Sequence, residues 1–316
     1  MAEPRLFHIG SAVVDYVYEI DRLPMPGEDL LASGFSALPG GGFNMLVAAH
    51  RSGLHCAYAG KIGSGPVGAL LAAAFQAEGI DCIQTRAAGT DTGTCVVLVT
   101  ADGERTFVSR QGAEALLEAD DLRSIGSKAG DWFFTSGYTL AYPECRDTLA
   151  EFIEGLPGDV TFMFDPTGVV DHIPEDILAR VMKRADWLTC NRAEATVIAG
   201  EAGLEDLAAR LLERSCPHAK GVIIRCGGDG ALLALRNEQP AFVPAFRVHV
   251  VDTNGAGDVH SGAMAAALAR NEPPVNALRI ANAAAAISTT RRGGSNAPYR
   301  QEVEEFLQRA GEPIID

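Results

Sequence analysis

An α/β fold with a mostly parallel central sheet is predicted by the order of segments along the 316-residue chain. Three observations carry the prediction. Short apolar runs end in Gly, Ser, Asp or Cys. Helical patterns separate them for most of the length. The runs themselves are apolar throughout, as strands buried on both faces must be.

In chain order the strand-like runs are Leu6–Gly10, Cys56–Gly60, Trp132–Ser136, Val160–Asp165, Trp187–Cys190 and Val222–Cys226. Helical patterns lie between them at Phe43–Arg51, stopped by Gly53, and Val67–Glu78, stopped by Gly79. Pro143–Ile153, Pro174–Arg184 and Leu204–Arg214 follow. Two patches break the rhythm. Asp15–Phe35 carries Tyr16, Val17, Tyr18 and Ile20, then Pro24, Pro26 and Gly27, which suits strands rather than helix. Thr94–Thr100, Asp102-Gly103 and Arg105–Ser109 read as a β-hairpin turning at Asp-Gly. The two excursions can form one small accessory sheet of the kind that closes over a reaction, or an ordinary edge hairpin. No repeat, low-complexity segment or linker divides the chain, so one domain spanning 1–316 is expected.

Composition narrows the function. Lys plus Arg number 26 against 41 Asp plus Glu, a net charge of −15. Such a surface repels phosphodiester backbones, which argues against nucleic acid as a partner. No run reaches the length of a membrane span; Ala281–Ile287 is short and set in a helix punctuated by Asn and Ser. The first residues lack a basic region followed by an apolar one, so no secretory signal is expected. The seven cysteines are odd in number and form no CxxC, which suits buried thiols in a reducing cytoplasm better than zinc or disulfides.

The sharpest motif is Val251-Asp252-Thr253-Asn254-Gly255-Ala256-Gly257-Asp258, after an expected strand Phe246–Val251 and before an apolar helix, Val259–Ala269. Gly255, Ala256 and Gly257 leave their backbone N–H groups uncovered, and the helix N-terminus adds its dipole, giving an anion hole for phosphate oxygens. A carboxylate there is expected to keep a low pKa and to take a proton from an attacking hydroxyl. The bland alternative makes Asp258 a helix cap, which needs no preceding Gly-Ala-Gly. Pro39-Gly40-Gly41-Gly42-Phe43-Asn44 opens another helix. It is either a site where backbone and the Asn44 amide approach a ligand, or a flexible turn. Asn191-Arg192-Ala193-Glu194 is a capping box by spacing, or a polar pair near phosphates and Mg²⁺. Cys226-Gly227-Gly228-Asp229-Gly230 is a nucleotide-contacting turn or a Gly-rich hairpin.

Two further strings mimic nucleotide motifs. Gly63-Ser64-Gly65-Pro66-Val67-Gly68 matches G-x-G-x-x-G, but the strand expected near Cys82–Thr85 ends at Arg86 rather than an acid. Gly60-Lys61 has neither the correct upstream glycine nor a following Ser or Thr, so it is no P-loop.

Gly40-Gly41-Gly42-Phe43-Asn44 early and Asp252-Thr253-Asn254-Gly255-Ala256-Gly257-Asp258 late resemble the two signatures of the ribokinase-like (PfkB) carbohydrate kinases, and the resemblance spans the chain. It implies a three-layer α/β/α domain with a β-sheet lid, here about 13–37 and 92–112, which also clasps a homodimer. It implies ATP as phosphoryl donor with Mg²⁺, and a sugar or nucleoside hydroxyl as acceptor. Asp258 then corresponds to the catalytic base and Gly255–Gly257 to the anion hole. Asp15, placed at the end of the first strand, corresponds to the acid that grips substrate hydroxyls, joined by Gly41, Gly42 and Asn44. Asn191 and Glu194 match the element near Mg²⁺ and phosphate. Gly227, Gly228 and Gly230 match the nucleotide turn, with Arg225 where Thr is common, and Asn282 falls near the adenine. Asp252, Asn254, Ser288, Arg291 and Gly293 occupy the positions of a potassium site. Phe134-Thr135-Ser136-Gly137-Tyr138 lacks the acid of true ribokinases, which argues against plain ribose. Gly103-Glu104-Arg105-Thr106-Phe107 and Arg292-Gly293-Gly294 look like an uncharacterised sugar-kinase branch. A nucleoside kinase, with Phe43 or Tyr138 stacking on a base, is the first alternative; a silent binding protein, which should have lost Asp258 or the glycines, is the second.

Overall fold

The structure is a computed structural model that describes residues 3–310. Its strands are β1 (Arg5–His8), β2 (Ala12–Glu19), β3 (Gly34–Gly41), β4 (His55–Tyr58), β5 (Asp81–Cys82), β6 (Thr94–Val99), β7 (Arg105–Arg110), β8 (Trp132–Ser136), β9 (Thr161–Asp165), β10 (Trp187–Asn191), β11 (Gly221–Arg225), β12 (Gly230–Leu235) and β13 (Ala241–Pro244). Nine form one sheet in the order β13-β12-β11-β10-β9-β8-β1-β4-β5. Pairing is parallel from β11 to β5, and antiparallel only where β12 and β13 turn back at one edge.

Alternation along each strand divides the core. Leu6, Phe134, Met163, Ile223 and Leu233 face a layer built from the helices Gly42–Arg51, Ala256–Ala269 and Pro274–Thr289. Phe7, Phe133, Phe162, Phe164 and Ile224 face the opposite layer, built from Arg146–Glu154, Glu175–Arg184 and Leu204–Arg210. Both faces of the sheet are therefore dry, which is why its strands read as continuous apolar runs. In the first layer half of the buried residues of the Ala256–Ala269 helix are Ala or Gly. A Cβ on Gly262 would collide with the carbonyl of Met45, so this helix lies directly against Gly42–Arg51. That close approach sets their two N-termini side by side.

The β excursions unite in a second sheet, β3-β2-β6-β7. The Asp-Gly turn forms as expected, with Gly103 at φ 85° and Thr100 Oγ1 donating to Asp102 Oδ1 at 2.6 Å. In this sheet Asp15 pairs with Cys95 and Cys95 with Ser109. Asp15 thus stands in the middle of β2, not at the end of the first strand, which stops at His8.

Two other expectations are corrected. Phe246–Val251 is not a strand. β13 ends at Pro244, Phe246 packs edge-on against Phe306, and the N–H groups of Val251 and Asp252 donate to Thr289 O at 2.7 and 3.0 Å. A helix terminus has taken the hydrogen bonds that a neighbouring strand would supply. The following helix begins at Ala256 rather than Val259, so Ala256, Gly257 and Asp258 belong to its first turn. The false dinucleotide motif is filled from within, since Asp91 accepts from Val67 N at 3.0 Å and Gly68 N at 2.8 Å. Lys61 is a strut paired with Asp121 at 2.6 Å. All seven cysteines are free thiols, and among the described residues no helix is long and apolar enough to cross a membrane.

Candidate active site

The C-terminal ends of β8, β9, β10 and β11 carry Ser136, Asp165, Asn191 and Arg225, at the edge of the sheet where α/β proteins hold ligands. Above this edge stand the starts of the helices Gly42–Arg51 and Ala256–Ala269. Asn44 Nδ2 donates to Asp258 Oδ2 at 3.3 Å, joining the early motif to the late one across 214 residues of sequence. Gly255 has φ 72°, and a Cβ there would collide with Gly294 O, so only glycine fits. Gly41 has φ 60°, and a Cβ on Gly42 would strike the buried ring of His8. Asp258 caps nothing: the Ala256–Ala269 helix has no side-chain cap. The expected set of open amides is corrected at Ala256, whose N–H donates to Thr253 O at 3.3 Å in the turn before the helix, while those of Gly257 and Asp258 make no hydrogen bond among the described residues and stay available to an anion.

The expectation of a low pKa for Asp258 is overturned. Burial pushes it up to about 7, the nearby Asp165 carboxylate adds to the rise, and Asn44 and Arg225 oppose it only in part. The helix dipole is a fraction of a charge, whereas desolvation and a second carboxylate act on the whole of one. Asp15 is raised to about 6 by burial. Both acids change charge near neutrality, where an acid or base in a reaction is most useful.

Below Asp258 lies a network that includes three residues to which the sequence assigns no site role: Asp165, Thr189 and Ser261. Arg225 donates through Nη1 to Asp165 Oδ2 at 2.8 Å, Thr189 Oγ1 at 2.6 Å and Ser261 Oγ at 3.2 Å. Its Nη2 lies 3.6 Å from Glu194 Oε2. Ser261 also donates to Asp165 Oδ2 at 3.3 Å. Asp165 was visible only as an acid closing the run Val160–Asp165, and strands end in Asp too often for that to mark a site. Two residues on, Thr167 holds φ 56°, rare for a β-branched residue, while its N–H donates to Asp165 Oδ1 at 3.1 Å.

Asn191 and Glu194 form the full capping box: Asn191 N and Nδ2 donate to Glu194 at 2.7 and 2.6 Å, and Glu194 N donates to Asn191 Oδ1 at 2.9 Å. Gly227 and Gly228 are exposed with open space around them, whereas Gly230 is buried against β13. Asn282 is buried, and its amide is consumed by Val243 O at 3.0 Å, Pro244 O at 3.2 Å and the His260 ring at 3.1 Å. Phe43 packs edge-on against Phe75 in the core, while Tyr138 is 39% exposed and lies near Asp258, Asp165 and Asp15.

The loops of the expected potassium site meet, but the side chains of Asp252, Ser288 and Arg291 are committed to other partners. Asp252 accepts from Asn254 N at 2.8 Å, Gly293 N at 3.0 Å and Arg105 of β7, which ties the small sheet to the 252–255 loop. Ser288 Oγ donates to Ala285 O at 2.8 Å, and Arg291 pairs with Glu302. A cation here would depend on main-chain carbonyls and the Asn254 amide. For a divalent ion the fit is poor: the Glu194 and Asp165 oxygens already accept from Asn191, Thr167, Ser261 and Arg225, and among the described residues no cluster of three His, Cys, Asp or Glu side chains could ligate a metal.

This architecture agrees with comparisons to known proteins. The model of the pfkB carbohydrate kinase family matches residues 4–301. The uncharacterised sugar kinase YegV of Escherichia coli K12 is 34% identical over 300 residues, covering 93% of this chain and 91% of that protein. Ribokinase of Thermotoga maritima superposes with a TM-score of 0.83 at 29% identity, covering 97% of this chain and 100% of its own. Arabidopsis thaliana ribokinase, solved with ribose and ATP, gives 0.79 at 25% identity, covering 97% and 99%. The chain belongs to the pfkB family of carbohydrate kinases.

Proposed function

We propose that the protein transfers the γ-phosphoryl group of ATP, carried as its Mg²⁺ complex, to a hydroxyl of a sugar or a sugar-like small molecule. The observation that carries this reading is the placement of Asp258 in the first helical turn, bonded to Asn44 and directly after the unengaged amides of Gly255 and Gly257. Asp258 takes the acceptor's hydroxyl proton as that oxygen forms a bond to the γ-phosphorus. The bond from the γ-phosphorus to the bridging oxygen breaks, ADP departs, and the helix N-terminal amides take up the charge on the transferring group. Asp15, with Gly41, Gly42 and Asn44, holds the acceptor hydroxyls. Asn191, Glu194, Arg225, Gly227, Gly228 and Gly230 line the nucleotide side, with Asn282 supporting that wall from below.

The sheet β3-β2-β6-β7 acts in this reading as a lid, latched by the Arg105–Asp252 pair, and excludes water that would hydrolyse ATP. Its outer residues Phe35 and Val108 are 59% and 63% exposed and suit a homodimer through the lid, which sedimentation velocity checks. Potassium, if it serves beside the anion hole, sits on the carbonyls of the 252–254 and 288–293 loops, and replacing K⁺ by Na⁺ in the assay tests it. Tyr138, open to the site, favours a nucleoside as second reading.

The test is ADP release from Mg-ATP across pentoses, hexoses, keto-acid sugars and nucleosides, with Asp258→Asn alongside. One strong substrate is expected, and kcat for the variant should fall at least ~10²-fold, as loss of a general base implies. Near-normal turnover by Asp258→Asn would refute the base assignment. ATP binding with no acceptor turned over would favour a silent binding protein.

A further inference from the structure

We propose that Arg225 is the protein's own fixed cation at the phosphate end of the site, occupying the place between Asp165 and Glu194 that a protein-bound divalent ion would otherwise take. The inference rests on the kinase reading above for its account of the phosphates, but its geometry stands independently. Two buried carboxylates, from the ends of β9 and the Arg192–Ala199 helix, converge on one guanidinium, at 2.8 Å and 3.6 Å. The guanidinium is itself pinned by Thr189 and Ser261. Ser261 lies one helical turn beyond Asp258, so the cation is locked to the element that carries the proposed base.

Arg225 Nε makes no hydrogen bond among the described residues. The Nε edge passes 3.8 Å from where a Cβ of Gly257 would stand, so a free donor edge lies beside the anion hole. A planar guanidinium with one edge bound to carboxylate and the other open is well shaped to receive a phosphate oxygen. A divalent ion at the same place would need those carboxylate oxygens, which the protein has already satisfied. The consequence is that the divalent ion has no binding place on the protein alone and enters only with the nucleotide.

Mn²⁺, read by its electron paramagnetic resonance signal, is the probe. The apo protein titrated with Mn²⁺ alone should leave the free-ion signal undiminished, whereas added ATP should quench it. Arg225→Gln frees the carboxylates and should acquire one Mn²⁺ site without nucleotide, lost again in Arg225→Gln/Glu194→Gln. At fixed Mg-ATP, wild-type velocity should not respond to further free Mg²⁺. Binding of one Mn²⁺ to apo wild type, abolished by Glu194→Gln, would overturn the proposal. So would a folded Arg225→Gln that gains no site. If that variant does not fold, the wild-type titration decides alone. Failure of the kinase reading would appear separately, as absence of ATP binding or turnover while the Mn²⁺ result stands.

Discussion

Removing the negative charge at position 258 should stabilise the protein while abolishing its activity, and the gain should depend on pH. Asp258 has its pKa raised from 3.8 to about 7. A carboxylate raised on folding contributes stability below its unfolded pKa and loses it as pH climbs through the folded value. With those two values, linkage costs the wild type about 1.7 kcal/mol at pH 5 and about 4 kcal/mol at pH 8, relative to a protein with no titrating group there. Water reaches the rim of this half-buried group, so we reduce the difference to about 2 kcal/mol. Asn preserves the shape and still accepts from Asn44. Asp258→Asn should therefore gain about 2 kcal/mol of stability over wild type on going from pH 5 to pH 8. Urea unfolding followed by fluorescence at both pH values measures it. An identical difference between the two proteins at pH 5 and pH 8 would show that the carboxyl titrates normally and that the desolvation argument is wrong.

Other outcomes follow from single residues. Gly255→Ala must force a Cβ into Gly294 O at positive φ, so it should cost about 1–3 kcal/mol in stability, and displacement of the anion hole should lower kcat/KM more than ~10²-fold; steady-state kinetics beside a thermal melt checks both. Asn282→Leu would strand Val243 O, Pro244 O and the His260 ring and should destabilise by about 2–3 kcal/mol, read by urea unfolding. Asp15, raised to about 6, binds hydroxyls best when charged, so acceptor KM should fall as pH rises through 6. Asp15→Asn should show a high KM with no such pH dependence.

The agreement between motif and local backbone has a simple origin. Gly255, Ala256, Gly257 and Asp258 are contiguous, and their conformation is set by local rules: a left-handed glycine, then a helix start. The same holds for the Asp-Gly hairpin and for the capping box at Asn191 and Glu194, whose partners lie within three residues of each other. Errors arose where a distant segment decided the outcome. Phe246–Val251 has the composition of a strand, yet Thr289 receives its last N–H groups. Asp15 looks like the end of a strand and instead sits within a second sheet.

The sequence alone therefore determined the class of fold, the left-handed Gly255 and the helix start after it, because periodicity and backbone freedom are local properties. The charge state of Asp258 was decided by tertiary structure, because desolvation and the Asp165 carboxylate exist only once β9 and the Ala256–Ala269 helix meet. So was the fate of Arg225, since nothing in its own neighbourhood says that Asp165, 60 residues upstream, will share its charge.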